Sequence, residues 1–269
     1  MSDGTPTEPD ATPERPGPDA EGAAEAEDLL ARVREGNVPG HVAVIMDGNG
    51  RWAERRGLPR WRGHRAGMRS VREVIEGAAA AAVEHLTLYA FSRENWQRPR
   101  AEVEALMSLL EEYVERERDE LVDAGIRVSV FGERDRLTAS ARAAIADLEG
   151  STRGGEALQV HLAISYGGRA EIAAACRALA RRCVRGDLDP EAIDEDAVAS
   201  ALLTRGWPDP DLLVRTSGER RLSNFLLWQL AYAELWVTPV LWPDFDRRHL
   251  YTALLDYRDR ERRFGRVSA

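Results

Sequence analysis

Short apolar runs alternate with longer amphipathic stretches from residue 41 onward. Apolar runs bounded by glycine, proline and polar residues predict buried strands. These runs occupy residues 41–46, 86–91, 126–131, 158–164, 212–214 and, more weakly, 235–237. Apolar residues at helical spacing predict helices at 66–83, 102–122, 139–148, 169–184, 195–203, 225–232 and 247–262. This alternation predicts a single α/β domain with a mainly parallel six-stranded sheet and helices on both of its faces.

Residues 1–37 differ from the rest of the chain because they are rich in proline, alanine and acidic residues. We expect a disordered acidic tail there, with a short helix near 26–35, ahead of a folded domain at 38–269. The first 28 residues hold nine acids and one base, Arg15, which gives −8 of the net charge of −9. The remaining body is therefore nearly neutral, which argues against broad nucleic-acid binding.

Composition excludes several other classes of protein. No apolar run approaches the roughly 20 residues of a membrane-spanning helix, and no signal-peptide pattern opens the chain, so we expect a cytoplasmic protein. Cys176 and Cys183, seven residues apart, are predicted to be small core residues. All 37 basic residues are arginine. The absence of lysine excludes a Walker-type phosphate loop and Schiff-base chemistry, so phosphate recognition must rely on arginine, backbone amides and metal.

The segment after the first predicted strand carries the first candidate site. Asp47 offers oxygen ligands to a hard cation such as Mg²⁺. Gly48 and Gly50 let the backbone approach a ligand closely, and Arg51 adds a planar cation. Together these residues favour a metal-bound diphosphate.

The same segment also matches parts of two other binding motifs. A dinucleotide-binding fingerprint matches Gly48-x-Gly50-x-x-Ala53, but the acidic residue expected about 20 positions later is missing from 67–72. An EF-hand loop needs glycine and glutamate where this chain has Trp52 and Leu58, so that interpretation fails.

Three more polar segments extend the candidate site. Basic residues at 60–65 form a cluster beside the glycine turn. Such a cluster is often only a solvent-exposed surface, but its position next to the glycine turn favours diphosphate binding. Residues 89–99 follow the second strand, and their Trp96 predicts a loop that covers a ligand. Residues 215–224 combine arginines with hydroxyl groups, which predicts a second anion site and hence two anionic substrates. Glu234 lies inside an apolar run, where burial would require a partner or a metal.

These segments resemble the conserved blocks of the cis-prenyltransferase (undecaprenyl diphosphate synthase, isoprenyl transferase) family. The matching blocks are HVAVIMDGNGRW at 41–52, LYAFSRENWQRP at 88–99, YGGR at 166–169, RTSGERRLSNF at 215–225, and AYAEL with LWPDF at 231–245. They stand in the family's order and cover about residues 38–265. One departure is Ser165, where the family usually has asparagine.

The resemblance implies a role for each matching residue. Asp47 and Asn95 would be catalytic, and Mg²⁺ would be held by Asp47 and Glu234. The residues implied in substrate binding are Gly48, Asn49, Gly50, Arg51, Trp52, Arg60, His64, Ser92, Arg93, Glu94, Trp96, Arg98, Arg215, Arg221, Leu222 and Ser223. Among them, Arg215, Arg221 and Ser223 would hold isopentenyl diphosphate.

The reaction implied is condensation of isopentenyl diphosphate with an allylic diphosphate, such as farnesyl or geranyl diphosphate, to a Z-polyprenyl diphosphate. An apolar tunnel would take the growing chain, with a wall formed by Val103, Leu106, Met107, Leu110 and Val114, Ala90 at a small position and Leu158 near the floor. The family is homodimeric, and its C-terminal element resembles residues 263–265, which would reach the partner's active site. Peripheral contact with a membrane would release the product. The rival functions are a non-catalytic subunit of a prenyltransferase complex and a nicotinamide-dependent oxidoreductase.

Overall fold

The computed structural model describes residues 20–260, which fold around a parallel sheet. The strands are β1 His41–Ile45, β2 His85–Ser92, β3 Ile126–Phe131, β4 Leu158–Tyr166, β5 Leu212–Arg215 and β6 Glu234–Val237. Their order across the sheet is β3-β4-β2-β1-β5-β6, and every neighbouring pair is parallel. The predicted six-stranded α/β fold is confirmed, including its weakest strand, β6.

Within residues 20–260, helices connect or flank these strands. They are α1 Ala20–Arg34, α2 Asn49–Glu54, α3 Arg60–Ala80, α4 Arg100–Asp123, α5 Ala139–Ser151, α6 Gly168–Val184, α7 Glu195–Ala201 and α8 Arg247–Arg258. The helix predicted at 225–232 is wrong, because these residues form turns. Ser223, Asn224 and Leu226 have φ angles of 50°, 62° and 40°, in the left-handed region that a right-handed helix does not allow.

Both faces of the sheet are buried. Val42 and Val44 of β1 join the larger apolar cluster, which includes residues of α3, α4 and α8. Ala43 and Ile45 face the other way and join a second cluster with Phe225. Strands covered on both faces therefore appear in the sequence as continuous apolar runs.

The acidic N-terminal region is partly structured. The helix α1 begins at Ala20, so residues 20–25 are helical, where we expected a disordered tail. Val33 is buried, and the Arg34 guanidinium donates to the Ala80 carbonyl at 2.7 Å. Glu25 pairs with Arg248 of α8 at 3.1 Å. Residues 1–19 and 261–269, with the C-terminal element expected at 263–265, lie outside the described residues.

Two other expectations concern surfaces. Cys176 is exposed on α6, so the prediction that it belongs to the core is wrong. Among the helices of residues 20–260, none combines the length and the apolar character needed to cross a membrane.

The strand order creates a crevice between β1 and β5. The chain leaves β1 towards β2 on one side of the sheet and leaves β5 towards β6 on the other. Ligands of open parallel sheets bind outside the carboxyl ends of strands at such a reversal. Asp47 follows β1 and Arg215 ends β5, so the two predicted anion segments meet at this point.

Candidate active site

The turn after β1 holds Asp47 against the end of β5. The hydroxyl of Thr216 accepts the Asp47 N–H at 2.9 Å and donates to the Asp47 carbonyl at 2.6 Å. Gly48 has a φ of 109°, and a Cβ there would lie 2.9 Å from the Leu241 side chain. Glycine is therefore required at 48, and the turn has one arrangement that places Asp47 beside β5.

Arg215 directs its guanidinium at the Asp47 carboxylate. Its Nη2 donates to Asp47 Oδ2 at 2.8 Å, while its Nη1 donates to Ser223 Oγ at 2.8 Å and to the Arg221 carbonyl. Only 4% of the Arg215 side chain is exposed. Burial alone would raise the pKa of Asp47, but the hydrogen bond and charge of Arg215, with the charge of Arg51, hold that pKa below its usual value. Asp47 is therefore ionised at neutral pH.

Arg51, in the first turn of α2, approaches the same carboxylate from the other side. Its Nη2 lies 3.4 Å from Asp47 Oδ1 and donates to Ser217 Oγ at 2.6 Å. Its Nη1 lies 3.3 Å from Glu219. Two guanidinium groups thus flank one carboxylate, an arrangement that suits an anion and a cation bound side by side.

A second group of cations surrounds Glu102 at the start of α4. Arg98 Nη1 lies 3.0 Å from Glu102 and 3.5 Å from His64 Nε2, and Arg60 lies 3.6 Å from Glu102. Burial lowers the pKa of His64 to about 4, and the charges of Arg98 and Arg60 act in the same direction. His64 is therefore neutral at pH 7. Arg98 pairs with Glu102, whereas Arg60 lies between Glu102 and Glu54, which is 2.5 Å from its Nη1.

Residues 92–98 are called the catalytic turn here because the family resemblance implies a catalytic role for Asn95. Their side chains point in two directions. Asn95 Oδ1 accepts the Ser92 N–H at 3.0 Å, so the turn is closed by its own side chain. Arg93 and Trp96, both predicted to bind substrate, instead contact the protein outside the cavity. The members of the turn that line the cavity are Ser92, Glu94, Asn95 and Arg98.

A cavity of about 640 Å³ opens at the carboxyl edge of the sheet. The polar residues around it include Asp47, Asn49, His64, Arg215, Arg221 and Ser223. Apolar side chains from α3, α4 and the strands form the rest, among them Met68, Val71, Leu88, Leu106, Met107, Leu110, Tyr113 and Leu162. Such a volume lies in the range of small-molecule sites, and the lining suits a ligand with an anionic head and an apolar tail.

A model of the family described as putative undecaprenyl diphosphate synthase matches residues 45–265. The chain belongs to this family. An isoprenyl transferase of Geobacillus kaustophilus is 50% identical over 232 residues, which cover 86% of this chain and 90% of that protein. A relative in Xanthomonas axonopodis pv. citri, named ditrans,polycis-undecaprenyl-diphosphate synthase specific for (2E,6E)-farnesyl diphosphate, is 52% identical over 86% of this chain and 90% of its own. The crystal structure of lavandulyl diphosphate synthase from Lavandula x intermedia, in complex with dimethylallyl diphosphate, matches with a TM-score of 0.83 and 39% identity over 85% of this chain and 98% of that one.

The family, the fold and the condensation of isopentenyl diphosphate with an allylic diphosphate are thereby confirmed. The predicted wall of the prenyltransferase cavity is confirmed at Leu106, Met107 and Leu110, and Ala90 also lines it. Val103 and Leu158 are buried but lie outside the lining. The same holds for Val114, which packs in the core.

Several predicted substrate-binding residues of the prenyltransferase border the site without lining the cavity. The Trp52 indole donates to Asp244 at 3.0 Å and so packs the turn from behind. A Cβ at Gly50 would lie 2.5 Å from the Arg60 guanidinium, which shows how closely Arg60 covers the glycine turn. Besides Arg93 and Trp96, the predicted substrate-binding residues that do not line the cavity are Gly48, Gly50, Arg51, Trp52, Arg60 and Leu222.

Glu234 lies apart from Asp47 within one chain. It begins β6 opposite Leu212, at the amino end of β5, whereas Arg215 marks the carboxyl end. Its carboxylate accepts from Arg260 at 2.9 Å. Among residues 20–260, no three His, Cys, Asp or Glu side chains form a metal-binding group. Within the described residues, a metal beside Asp47 would therefore have no cluster of such side chains to complete its coordination.

Proposed function

We propose that this prenyltransferase binds Mg²⁺ through Asp47 and the diphosphate of its substrate. The observation that carries the proposal is the ionised Asp47 between two arginines at the mouth of an apolar cavity. Mg²⁺ commonly takes one or two carboxylates together with substrate phosphates, so a single carboxylate fits this ion. Bound there, the metal would neutralise negative charge that develops on the departing diphosphate.

The two diphosphates are proposed to occupy neighbouring positions. Arg215, Arg221 and Ser223 would hold isopentenyl diphosphate. In support, the Nε atom of Arg215 is buried and has no hydrogen-bond partner within residues 20–260, so a donor remains for a phosphate oxygen. The allylic diphosphate would lie by Asn49 and His64, which line the same cavity.

The remaining steps fall to the catalytic turn and the cavity wall. Asn95 would assist removal of the proton that is lost when the new double bond forms. Its side chain is already oriented by the Ser92 N–H, so little reorganisation is needed. The apolar wall would exclude water from the allylic carbon while the bond to diphosphate breaks.

We also propose that the protein acts as a homodimer in the cytoplasm. β6 is an edge strand, and Leu235 on it is 53% exposed, with Tyr232 just before it 75% exposed. Exposed apolar groups on a sheet edge favour contact with another protein surface. A second copy there would also explain why Glu234 lies away from the Asp47 site of its own chain.

The test is elongation of farnesyl, geranyl or dimethylallyl diphosphate with labelled isopentenyl diphosphate, followed by mass analysis of the product. We expect activity of the purified chain alone, its loss with a chelator and its return with Mg²⁺. Asp47→Asn should abolish turnover, and its melting temperature, lowered because Arg215 loses its counter-ion, should still lie above the assay temperature. Absence of elongation with every primer would leave the non-catalytic subunit as the better interpretation, and activity unaffected by a chelator would refute the metal.

A further inference from the structure

The catalytic turn is held to the protein from outside the cavity. Trp96 donates its indole N–H to the Ser165 hydroxyl at 2.8 Å. The guanidinium carbon of Arg136 lies 4.6 Å from the centre of the same ring, and Phe91 meets the ring edge-to-face at 5.0 Å. One side chain of the turn thus has a hydrogen bond, a cation–π contact and an aromatic contact, and of the three partners only Phe91 also lines the cavity.

A second tether lies three residues earlier in the turn. Arg93 pairs with Glu133, in the segment after β3, at 3.2 Å. That segment is itself fixed, because a Cβ at Gly132 would lie 1.9 Å from the Ile164 carbonyl oxygen. The Glu133 N–H also donates to the Ser165 carbonyl at 3.2 Å. The segment after β3 and the end of β4 therefore form one firm support.

Ser165 has an unusual backbone for its residue type. It is fully buried and has a φ of 53°, a region that glycine and asparagine adopt more readily than serine. Strained conformations of this kind persist where surrounding structure determines them and are concentrated at functional sites. Glycine would relieve this strain, but the serine at 165 supplies the hydroxyl that accepts the Trp96 N–H.

We propose that Glu133, Arg136 and Ser165 form an anchor that positions the catalytic turn for prenyl transfer. The anchor fixes the turn at 93 and at 96, so Asn95 between these points has little freedom. Its three members line no part of the cavity, so they are positioning residues that act through Arg93 and Trp96. The consequence for catalysis rests on the proposed role of Asn95, whereas the positioning itself does not.

A double-mutant cycle tests the hydrogen bond. Trp96→Phe keeps a ring and removes the N–H, and Ser165→Ala removes the acceptor. Each should lower kcat roughly 3- to 10-fold, and the double variant should be no worse than either one, because both remove the same bond. Additive losses would overturn the proposal.

Two further substitutions at 165 separate the hydrogen bond from backbone strain. Ser165→Gly suits a positive φ but lacks the acceptor, so its kcat should fall as in Ser165→Ala. Ser165→Asn suits the same φ and brings an amide oxygen, so it should retain activity. A glycine variant with wild-type kcat would show that only the backbone matters and would overturn the proposal.

Hydrogen exchange gives a readout that needs no turnover. Amides of residues 92–98 should exchange at least several-fold faster in Ser165→Gly and Arg136→Gln, with the exchange of the β-strands unchanged. Exposed Arg153, changed to Gln, is the matched control and should leave the turn protected. Unaltered exchange in both anchor variants would overturn the anchor, whereas an inactive wild type with the expected exchange would overturn only the proposed function.

Discussion

Replacing Arg215 by lysine separates the geometry of the guanidinium from its charge. Arg215 bonds Asp47, Ser223 and the Arg221 carbonyl with one planar group. A lysine ammonium keeps the charge but is a compact point on a flexible stem, so it cannot reach all three partners. Loss of two such bonds, at about 1.5–3 kcal/mol each for a charged donor, amounts to about 3–6 kcal/mol. Part of this would appear as lost stability and part as weaker transition-state binding.

The assay is kcat/KM for isopentenyl diphosphate at a saturating concentration of the allylic primer. We expect Arg215→Lys to lower it at least 100-fold, which corresponds to about 2.7 kcal/mol. The melting temperature should be measured on the same samples, so that unfolded protein is not mistaken for poor catalysis. Arg205→Lys, an exposed site in the turn after α7, is the matched control. A variant Arg215→Lys within threefold of wild type would refute the claim that the planar group matters.

Three other outcomes are expected. Burial lowers the pKa of His41 to about 4 and that of His161 to about 2. Below about pH 6.5 these histidines therefore take up protons in the unfolded chain but not in the folded chain. The free energy of unfolding should consequently fall by about 2 kcal/mol per histidine between pH 7 and pH 5. Urea titrations at both pH values check this, and equal stabilities would contradict it. Leu110→Trp narrows the cavity and should shorten the product, as mass spectrometry would show. Leu235→Arg places a charge on the exposed edge of β6 and should give a monomer in sedimentation, whereas an unchanged state would place any dimer contact elsewhere.

Strands β1, β2, β4 and β5 were predictable because they are buried at almost every position and so appear as nearly unbroken apolar runs. Strand β6 is only partly buried, with Leu235 53% exposed, and its signal was accordingly the weakest. The spacing of apolar residues at 225–232 predicts a helix, and this prediction is wrong. Such spacing indicates which positions are buried but says nothing about the sign of φ. Ser223 and Asn224 just before the run and Leu226 within it have left-handed φ angles, and the run forms turns instead of a helix. Asn224 is of a type that tolerates a positive φ, but Ser223 and Leu226 carry no such signal in the sequence.

Motifs identified the catalytic turn but not the direction of its side chains. Asn95 lines the cavity, whereas the side chain of Trp96, the next residue, points away from it and donates to the Ser165 hydroxyl. In a tight turn, adjacent side chains diverge, and which one faces a ligand depends on partners far away in the chain. Ser165 itself gave one usable signal, because it departs from the asparagine usual at that position.

The pairing of Asp47 with Arg215 links the stability of the site to its chemistry. A buried guanidinium without a counter-ion costs several kcal/mol, so Asp47 stabilises the fold even before any substrate arrives. The same contact keeps the carboxylate ionised, which is the state a metal requires. If a metal-bound diphosphate were held here as proposed, Asp47 would supply an oxygen ligand to the cation and Arg215 would donate to a phosphate oxygen. Each of the two side chains would then keep an opposite charge beside it, and the buried arginine would not be left without compensation.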